Sequence, residues 1–591
     1  MEKSAFALAI AAGIIFTNTC CTIERNNKQV EYYVSAPNIG VNNYGAYLAG
    51  RIAHLRHDLN QSANYYMVAE KTAPKEQMLS SQLYTILASQ GRIDEAIKYA
   101  DSAIANGDES PFIHTMKSVY NTKQQNYEEA LKDLQKCDNE LAKLLINPLM
   151  SAWNYAGLGQ YEKAIEQIKP LFKEETFKAM AMLHAGAISD YMGKNDEADK
   201  HYSLLMQIPN MKITFYPARI ITNFYLRQNN KEKLEKAIQK IGSNNNIITK
   251  SFIEDIRQSD SSVAPILSSP TGGMSDVLFA VALLIQQAPN GDEVALLFSS
   301  LSAYINPEYD LSKILMGDIL EKKELRKEAN EIYANITEND YSYHSAQYKI
   351  AYNLIEMQQY RDAEKILLEL VKNTPPSPST YKLLGETTRL TKRNKDAVIY
   401  YQKALDLFPK EQRTEQAWDI IFAQGMAYSA MGDKNKAEKC FRKVVYVQPH
   451  PAIKNHLGYE LLMNNKNIEE AAELIIAAYN QAQEEGSIVD SLGWLLYHLG
   501  DYEKSADYLE KASDLSPSEA VIYDHLGDAY WELGRKDEAV FQWNHAVSLN
   551  DDSGELNKEL TKNKMENGPP PFPPLSYDKE KIDKILSKIE K

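Results

Sequence analysis

The most regular pattern of apolar and polar positions lies between Asp490 and Asn550, where small and apolar residues recur after 34 residues. Apolar residues at helical spacing predict amphipathic helices, and glycines between such runs predict turns. A fixed period of this length is typical of stacked helix pairs, so the stretch predicts two successive helix–turn–helix units of one design. The matching positions are Leu492 and Gly493 with Leu526 and Gly527, Gly500 with Gly534, Leu509 with Trp543, and Ala512 with Ala546.

The period and the residue types resemble the tetratricopeptide repeat family. The resemblance covers roughly residues 43–550 and is strongest over 376–550. It implies an all-α fold, an α-solenoid in which about fourteen helix pairs wind into a right-handed superhelix. The run DSLGWLLYHLGDYEKSADYLEKA followed by DHLGDAYWELGRKDEAVFQWNHA is similar to the C-terminal end of large alphaproteobacterial proteins of this family. Such a resemblance implies the fold and leaves the function open.

The quality of the period divides the chain into segments. Residues 43–241 predict a degenerate N-terminal array of repeats, and residues 276–550 predict a more regular C-terminal array. Between them, residues 242–275 are rich in Asn, Ser, Pro and Gly, which predicts a junction loop. Residues 551–567 predict a polar capping helix. Residues 568–591 predict a proline-rich linker and a last helix, which either folds back on the array or docks on a partner.

The N-terminus predicts export. Residues 1–21 contain an apolar run of signal-peptide length followed by Cys20 and Cys21. This arrangement resembles a bacterial lipoprotein signal, in which the cysteine is acylated, but the three residues before Cys20 are Thr, Asn and Thr, which departs from that pattern. Cleavage after Thr19 and an uncleaved anchor are the alternatives. Residues 22–42 are polar and predict a tether. We therefore expect a periplasmic protein or a membrane-anchored lipoprotein, with the cytoplasm as the alternative location.

The net charge restricts the choice of partners. The 591-residue chain is 44% hydrophobic and 25% charged, with a formal net charge of −15. Binding phosphates requires a positive face, so the charge argues against nucleic acid as the main partner. It permits basic or apolar protein segments, and contact with a membrane is expected only through the N-terminal signal or lipid. A simpler explanation is that the charge keeps a long, surface-rich protein soluble.

No motif in the sequence predicts catalysis, a cofactor or a metal. A GxxxxGK[ST] loop, an HExxH pair and a GxSxG elbow are all missing from the chain. Cys137 and Cys440 lie in different repeats at small apolar positions, which predicts core packing. Outside repeats, signal and tail, about 35 residues remain, too few for a catalytic domain. We expect a non-enzymatic scaffold; the alternative is the regulatory or assembly arm of an enzyme or secretion system whose catalytic part is another chain.

The family resemblance also implies a binding surface. In tetratricopeptide proteins the first helix of each pair lines a concave groove, at positions three before and one, four and five after the repeat glycine. Aromatic and acidic residues at these positions would bind a peptide or protein segment that carries Lys or Arg. Alternatively, the two tryptophans pack between neighbouring helices and the acids are solvated. The candidate groove residues are Asn455, Tyr459, Asp490, Trp494, Tyr497, His498, Asp524, Asp528 and Trp531.

Overall fold

A computed structural model describes residues 43–56, 58–72, 77–208, 215–241, 253, 256–257, 262–338, 340–549 and 556–589. Over these ranges the chain is built from helices and short turns, and no β-strand occurs. The predicted all-α solenoid is confirmed. Residues 1–42, which include Cys20, Cys21 and the predicted signal and tether, lie outside the described residues. Among the helices that the structure describes, none is both long enough and apolar enough to cross a membrane.

Contacts between Cα atoms divide the chain into two compact units, Met1–Asn353 and Leu354–Lys591. The boundary between the two units falls within a helix. The described helices of eight residues or more in the first unit are α1 (Asn43–Leu55), α2 (Leu59–Thr72), α3 (Gln77–Ser89), α4 (Ile93–Ala105), α5 (Pro111–Lys123), α6 (Tyr127–Gln135), α7 (Asn147–Gly157), α8 (Tyr161–Ile168), α9 (Lys178–Tyr191), α10 (Asn195–Met206), α11 (Phe215–Arg227), α12 (Lys231–Lys240), α13 (Pro270–Gln286), α14 (Asp292–Ile305), α15 (Asp310–Lys322), α16 (Arg326–Tyr333) and α17 (Tyr343–Glu356), which crosses the boundary.

The second unit continues the succession of helix pairs and ends in two further helices. Its described helices of eight residues or more are α18 (Tyr360–Asn373), α19 (Pro378–Leu390), α20 (Asn394–Asp406), α21 (Trp418–Ala430), α22 (Lys434–Val445), α23 (Pro451–Met463), α24 (Ile468–Tyr479), α25 (Gly486–His498), α26 (Tyr502–Leu515), α27 (Ala520–Glu532), α28 (Lys536–Ser548), α29 (Lys558–Asn567) and α30 (Lys579–Leu586). Within each unit, the odd-numbered helices up to α15 and from α19 to α27 are the first helices of their pairs, and the even-numbered helices that follow them are the second.

Two features of the sequence produce the pair α27–α28. A left-handed residue makes the tight turn between its helices; here it is Gly534, with φ +79°. A glycine within the first helix lets the second approach closely. A Cβ atom on Gly527 would lie 2.4 Å from Nε1 of Trp543, so the indole ring packs directly against the backbone of α27.

One helix pair of the first unit packs in an unexpected place. Helices α13 and α14 contact α3, α5, α7 and α9, which are the first helices of four earlier pairs. The hairpin begins at Pro270, inside the segment predicted to be a junction loop. The hairpin therefore covers a face of these first helices that would otherwise be exposed to solvent.

Buried and half-buried polar contacts fix this hairpin. The Oγ of Ser300 donates to the carbonyl oxygen of Ala88 at 2.5 Å, and the hydroxyl of Tyr304 donates to Asp94 at 2.6 Å. The Nζ of Lys123 donates to the carbonyl oxygen of Tyr304 at 2.7 Å and lies 3.5 Å from its ring centroid. Because these contacts join residues more than 180 positions apart, the first-helix face of α3 to α9 is filled by the chain itself.

Candidate functional site

The nine candidate groove residues lie on the first helices α23, α25 and α27. The three that precede the repeat glycine by three positions share one role, because each bonds to the next first helix or to α29. These bonds tie the stacked helices together within the second unit. They join Asn455 Nδ2 to Ser491 Oγ at 3.0 Å, His525 Nδ1 to Asp490 Oδ1 at 2.9 Å, and Thr561 Oγ1 to Asp524 Oδ1 at 2.8 Å.

The carboxylates of the last pair hold a buried lysine. The Nζ of Lys564, on α29, donates to Asp524 at 2.7 Å and to Asp528 at 2.8 Å. Lys564 is only 4% exposed and Asp528 only 3%. The second oxygen of Asp528 accepts a bond from Nε1 of Trp543 at 3.0 Å. The predicted preference of these carboxylates for a cation is thus met by the chain's own capping helix.

Burial shifts the pKa of Asp528. It raises the pKa of that carboxyl to about 6, against the opposing effect of Lys564 and with a further contribution from Asp524. A carboxyl with this pKa is mostly ionised at neutral pH, so the pair with Lys564 is a charged one there. A buried charged pair of this kind is costly to break from one side, because the remaining charge loses its partner.

The aromatic residues of α25 form one stacked cluster. Trp494 is 7% exposed, and its ring lies 4.7 Å from Tyr497 and 3.8 Å from His525, in both cases nearly parallel. His498 contacts the same indole edge-on at 4.5 Å. The Nε1 of Trp494 points to the sulfur of Met463 at 3.4 Å. Trp494 thus packs between neighbouring first helices, the arrangement that the sequence left open as the alternative to a groove-facing ring.

The two histidines of this cluster have opposite pKa shifts. Burial disfavours the charged ring of His525, but the charge and hydrogen bond of Asp490 outweigh it and raise the pKa of His525. Burial lowers the pKa of His498 to about 3, with a smaller effect from His525. Burial also raises the pKa of Tyr497, as does the nearby Asp528. At neutral pH His498 is therefore a neutral, largely apolar ring surface.

The C-terminal segment lies on this cluster. Gly568, with φ +75°, lies so close to Trp531 that a Cβ atom there would be 2.5 Å from the indole Nε1. The ring of Phe572 lies 3.8 Å from that of His498. Trp531 is half-buried and also contacts Trp543, with ring centroids 5.5 Å apart. Residues 568–575 thus cover the exposed edges of the aromatic cluster.

The rest of the segment continues along α23 and α24. The side chain of Asn465 donates to the carbonyl oxygen of Pro574 at 3.0 Å, and Glu469 accepts from the backbone nitrogen of Asp578 at 2.8 Å. Helix α30 then packs on α24, with Ile582 and Ile585 buried in the core of the unit. Of the two outcomes that the sequence left open for the last helix, it is the fold-back that occurs.

The sequence analysis did not predict that Lys564 pairs with the carboxylates of the candidate groove, although the spacing of the repeats contains a signal for this pair. Lys564 follows Asp528 by 36 residues, much as His525 follows Asp490 by 35. Because α29 takes the place of one more first helix, the repeat offset predicts which of its residues meet the carboxylates. The remaining candidate groove residue, Tyr459, is half-buried on α23.

Other chemistry is sparse in the described part of the chain. There, no group of three or more His, Cys, Asp and Glu side chains could hold a metal ion. Cys137 and Cys440 are buried free thiols, as expected of core residues. Burial raises the pKa of Cys137 to about 11, so its sulfur remains a protonated, poorly nucleophilic thiol at neutral pH.

Family models described as "Tetratricopeptide repeat" match residues 348–411, 419–451 and 491–547. All three ranges lie mainly in the helix pairs of the second unit, and the predicted repeats are confirmed there. A TPR repeat-containing protein of Pseudomonas aeruginosa is 29% identical over 128 residues, which are 22% of this chain and 20% of that protein. Superkiller complex protein 3 of Mus musculus is 28% identical over 181 residues, 29% of this chain and 11% of that protein.

The chain thus spans a fifth or less of the length of these two relatives. Among solved structures, the Cut9–Hcn1 hetero-tetramer of the APC/C matches at 12% identity and a TM-score of 0.37, covering 89% of this chain and 96% of that one. A tetratricopeptide repeat protein from Parabacteroides merdae matches at 14% identity and a TM-score of 0.35, covering 44% of this chain and 97% of that one. These similarities concern the fold alone.

Proposed function

We propose that this chain, which carries tetratricopeptide repeats, is a non-catalytic scaffold that binds a segment of a partner protein on the first-helix face of its second unit. The observation that carries the proposal is the combination of carboxylates and aromatic rings on α25 and α27, which already holds a lysine and a phenylalanine of the chain itself. Buried aromatic anchors with charged neighbours are typical of protein recognition surfaces. The corresponding face of the first unit is filled by α13 and α14, which leaves the second unit as the better candidate.

We also propose that the scaffold works at a bacterial envelope. The support comes from residues 1–21, whose apolar run and Cys20–Cys21 pair resemble an export signal. Mass spectrometry of the mature N-terminus provides the test. An acylated Cys20 or Cys21 would support a membrane anchor and a free end after Thr19 would support a periplasmic protein, whereas an intact Met1 on the mature chain would contradict cleavage of the signal.

The binding proposal requires a purified partner. Candidates captured by the full-length chain are to be expressed separately, and their binding measured by calorimetry. We expect His498→Ala combined with Trp531→Ala to weaken binding at least tenfold. Phe541→Ala is the matched control, because Phe541 is a 67% exposed aromatic residue on the second helix α28. Equal binding by the double variant would refute the assignment of the surface, provided that circular dichroism shows both variants to be folded.

A further inference from the structure

The segment that covers the aromatic cluster is rich in proline. Residues 568–575 read GPPPFPPL, so five of the eight are proline. Proline fixes its own φ near the polyproline II value, and such segments lose little conformational entropy when they bind. Proline-rich segments dock on surfaces lined by aromatic side chains, which is the type of surface that Trp531 and His498 provide here.

The fit between segment and surface is specific at both ends. Gly568 permits contact with Trp531 that any side chain would prevent, since a Cβ atom would lie within 2.5 to 2.8 Å of three indole atoms. Phe572, four residues later, meets His498 at 3.8 Å. The low pKa of His498 keeps its ring neutral, which suits contact with an apolar partner.

We propose that the aromatic cluster of α25 and α27 is a binding site for proline-rich protein segments that carry an aromatic residue, and that residues 568–575 are its ligand in cis. This proposal rests on the scaffold function proposed above and names the chemistry of the partner segment. The partner's segment takes the place of residues 568–575, because both use the same rings. Lys564 and α29 stay in place during the exchange.

The contacts of the segment are consistent with such an exchange. Its hydrogen bonds to Asn465 and Glu469 are solvent-exposed, so water can replace them. Between Gly568 and Asp578 the chain is not helical, and its prolines are half-buried or exposed. By contrast, Lys564 is buried between two carboxylates. The segment can therefore leave the surface while α29 still closes the last repeat.

The test uses the full-length chain and a fluorescent peptide with the sequence of residues 568–578. In the wild type the cis segment competes at an effective concentration of the order of millimolar, so the peptide should bind weakly. Phe572→Ala combined with Ile582→Asp weakens the docking of the cis segment at two points without changing the site. We expect this release variant to bind the peptide at least tenfold more tightly in fluorescence anisotropy.

Two controls make the result specific. A peptide with the Phe572→Ala change should bind the release variant at least tenfold more weakly, and adding His498→Ala to the release variant should have a similar effect. Phe541→Ala in the wild-type chain should leave the weak binding unchanged. Hydrogen exchange of α25 and α27 confirms that each variant keeps its repeats folded.

A folded release variant that binds no peptide, or that binds the peptide lacking phenylalanine equally well, would overturn the proposal. Calorimetry with the captured partner distinguishes this from failure of the scaffold function. A partner that binds on the same face without a proline-rich segment retains the scaffold function and refutes only the chemistry of the ligand. Absence of any binding partner for a folded chain refutes the scaffold function itself.

Discussion

Replacing Lys564 tests the most buried charge pair of the site. Lys564→Met keeps much of the side-chain volume and removes the ammonium group that bonds to Asp524 and Asp528 at 2.7 and 2.8 Å. Removing one partner of a buried pair typically costs about 3–5 kcal/mol. Here the carboxylates keep bonds from Thr561 and Trp543, which places the expected loss at the lower end, about 3 kcal/mol.

The loss should appear as local undocking of α29, because this helix packs on the last helix pair, α27–α28, and the earlier repeats do not depend on it. A decrease of about 3 kcal/mol in the free energy of local opening accelerates amide exchange by roughly two orders of magnitude. Hydrogen-exchange mass spectrometry of residues 558–567 measures this directly. Lys562→Met is the matched control, since Lys562 is an exposed lysine on the same helix. Exchange rates in the Lys564 variant within about threefold of those in the control would refute the reasoning.

Three further changes probe the same region. Burial lowers the pKa of His498 to about 3, and in Phe572→Ala this pKa, measured by NMR titration, should rise towards 6.5. Since the docked state of residues 568–575 has the lower pKa, their docking is strongest above pH 6.5 and weakens as the pH falls. An unchanged pKa would show that Phe572 does not bury the ring. Gly527→Ala should lower the stability of the second unit to urea by about 1–3 kcal/mol, because its Cβ atom meets Trp543; an unchanged midpoint would contradict this packing. Burial raises the pKa of Asp528 to about 6, so its contribution to stability is fully present below pH 3.8 and is lost as the pH rises through about 6. Asp528→Asn should remove this pH dependence of the free energy of unfolding in urea, followed by tryptophan fluorescence. An identical dependence of stability on pH in the variant and the wild type would contradict the prediction.

The repeats could be predicted because their signals are local. A turn residue, a glycine in the first helix and an aromatic residue in the second all lie within one period, as Gly527, Gly534 and Trp543 illustrate. The position of α13 and α14 could not be predicted in this way. The bond from Ser300 to Ala88 joins residues 212 positions apart, and no repeat offset connects them.

The candidate site could be predicted only in part from the sequence. The register of the repeats placed Asp490, Asp524 and Trp494 on the first helices correctly, but it does not say whether a ring or carboxylate faces solvent or the next first helix. Neighbouring first helices stack one period apart, so residues near the repeat glycine meet the following helix before they meet a ligand. Residues 568–575 do not follow the 34-residue period, and the docking of Phe572 on His498 therefore left no periodic signal in the sequence.

Each unit covers a first-helix face with part of its own chain, but the two covers differ in how readily they can open. The α13–α14 hairpin is internal to the chain, and the hydroxyls of Ser275, Ser302 and Ser312 form a fully buried hydrogen-bonded cluster at its base. Removing it would expose these groups and a large apolar surface together, which requires unfolding of much of the first unit. Residues 568–575 are not helical and use exposed hydrogen bonds, so they can undock locally. This difference is the physical reason why we propose ligand exchange at the second of these two faces, around Trp531 and His498.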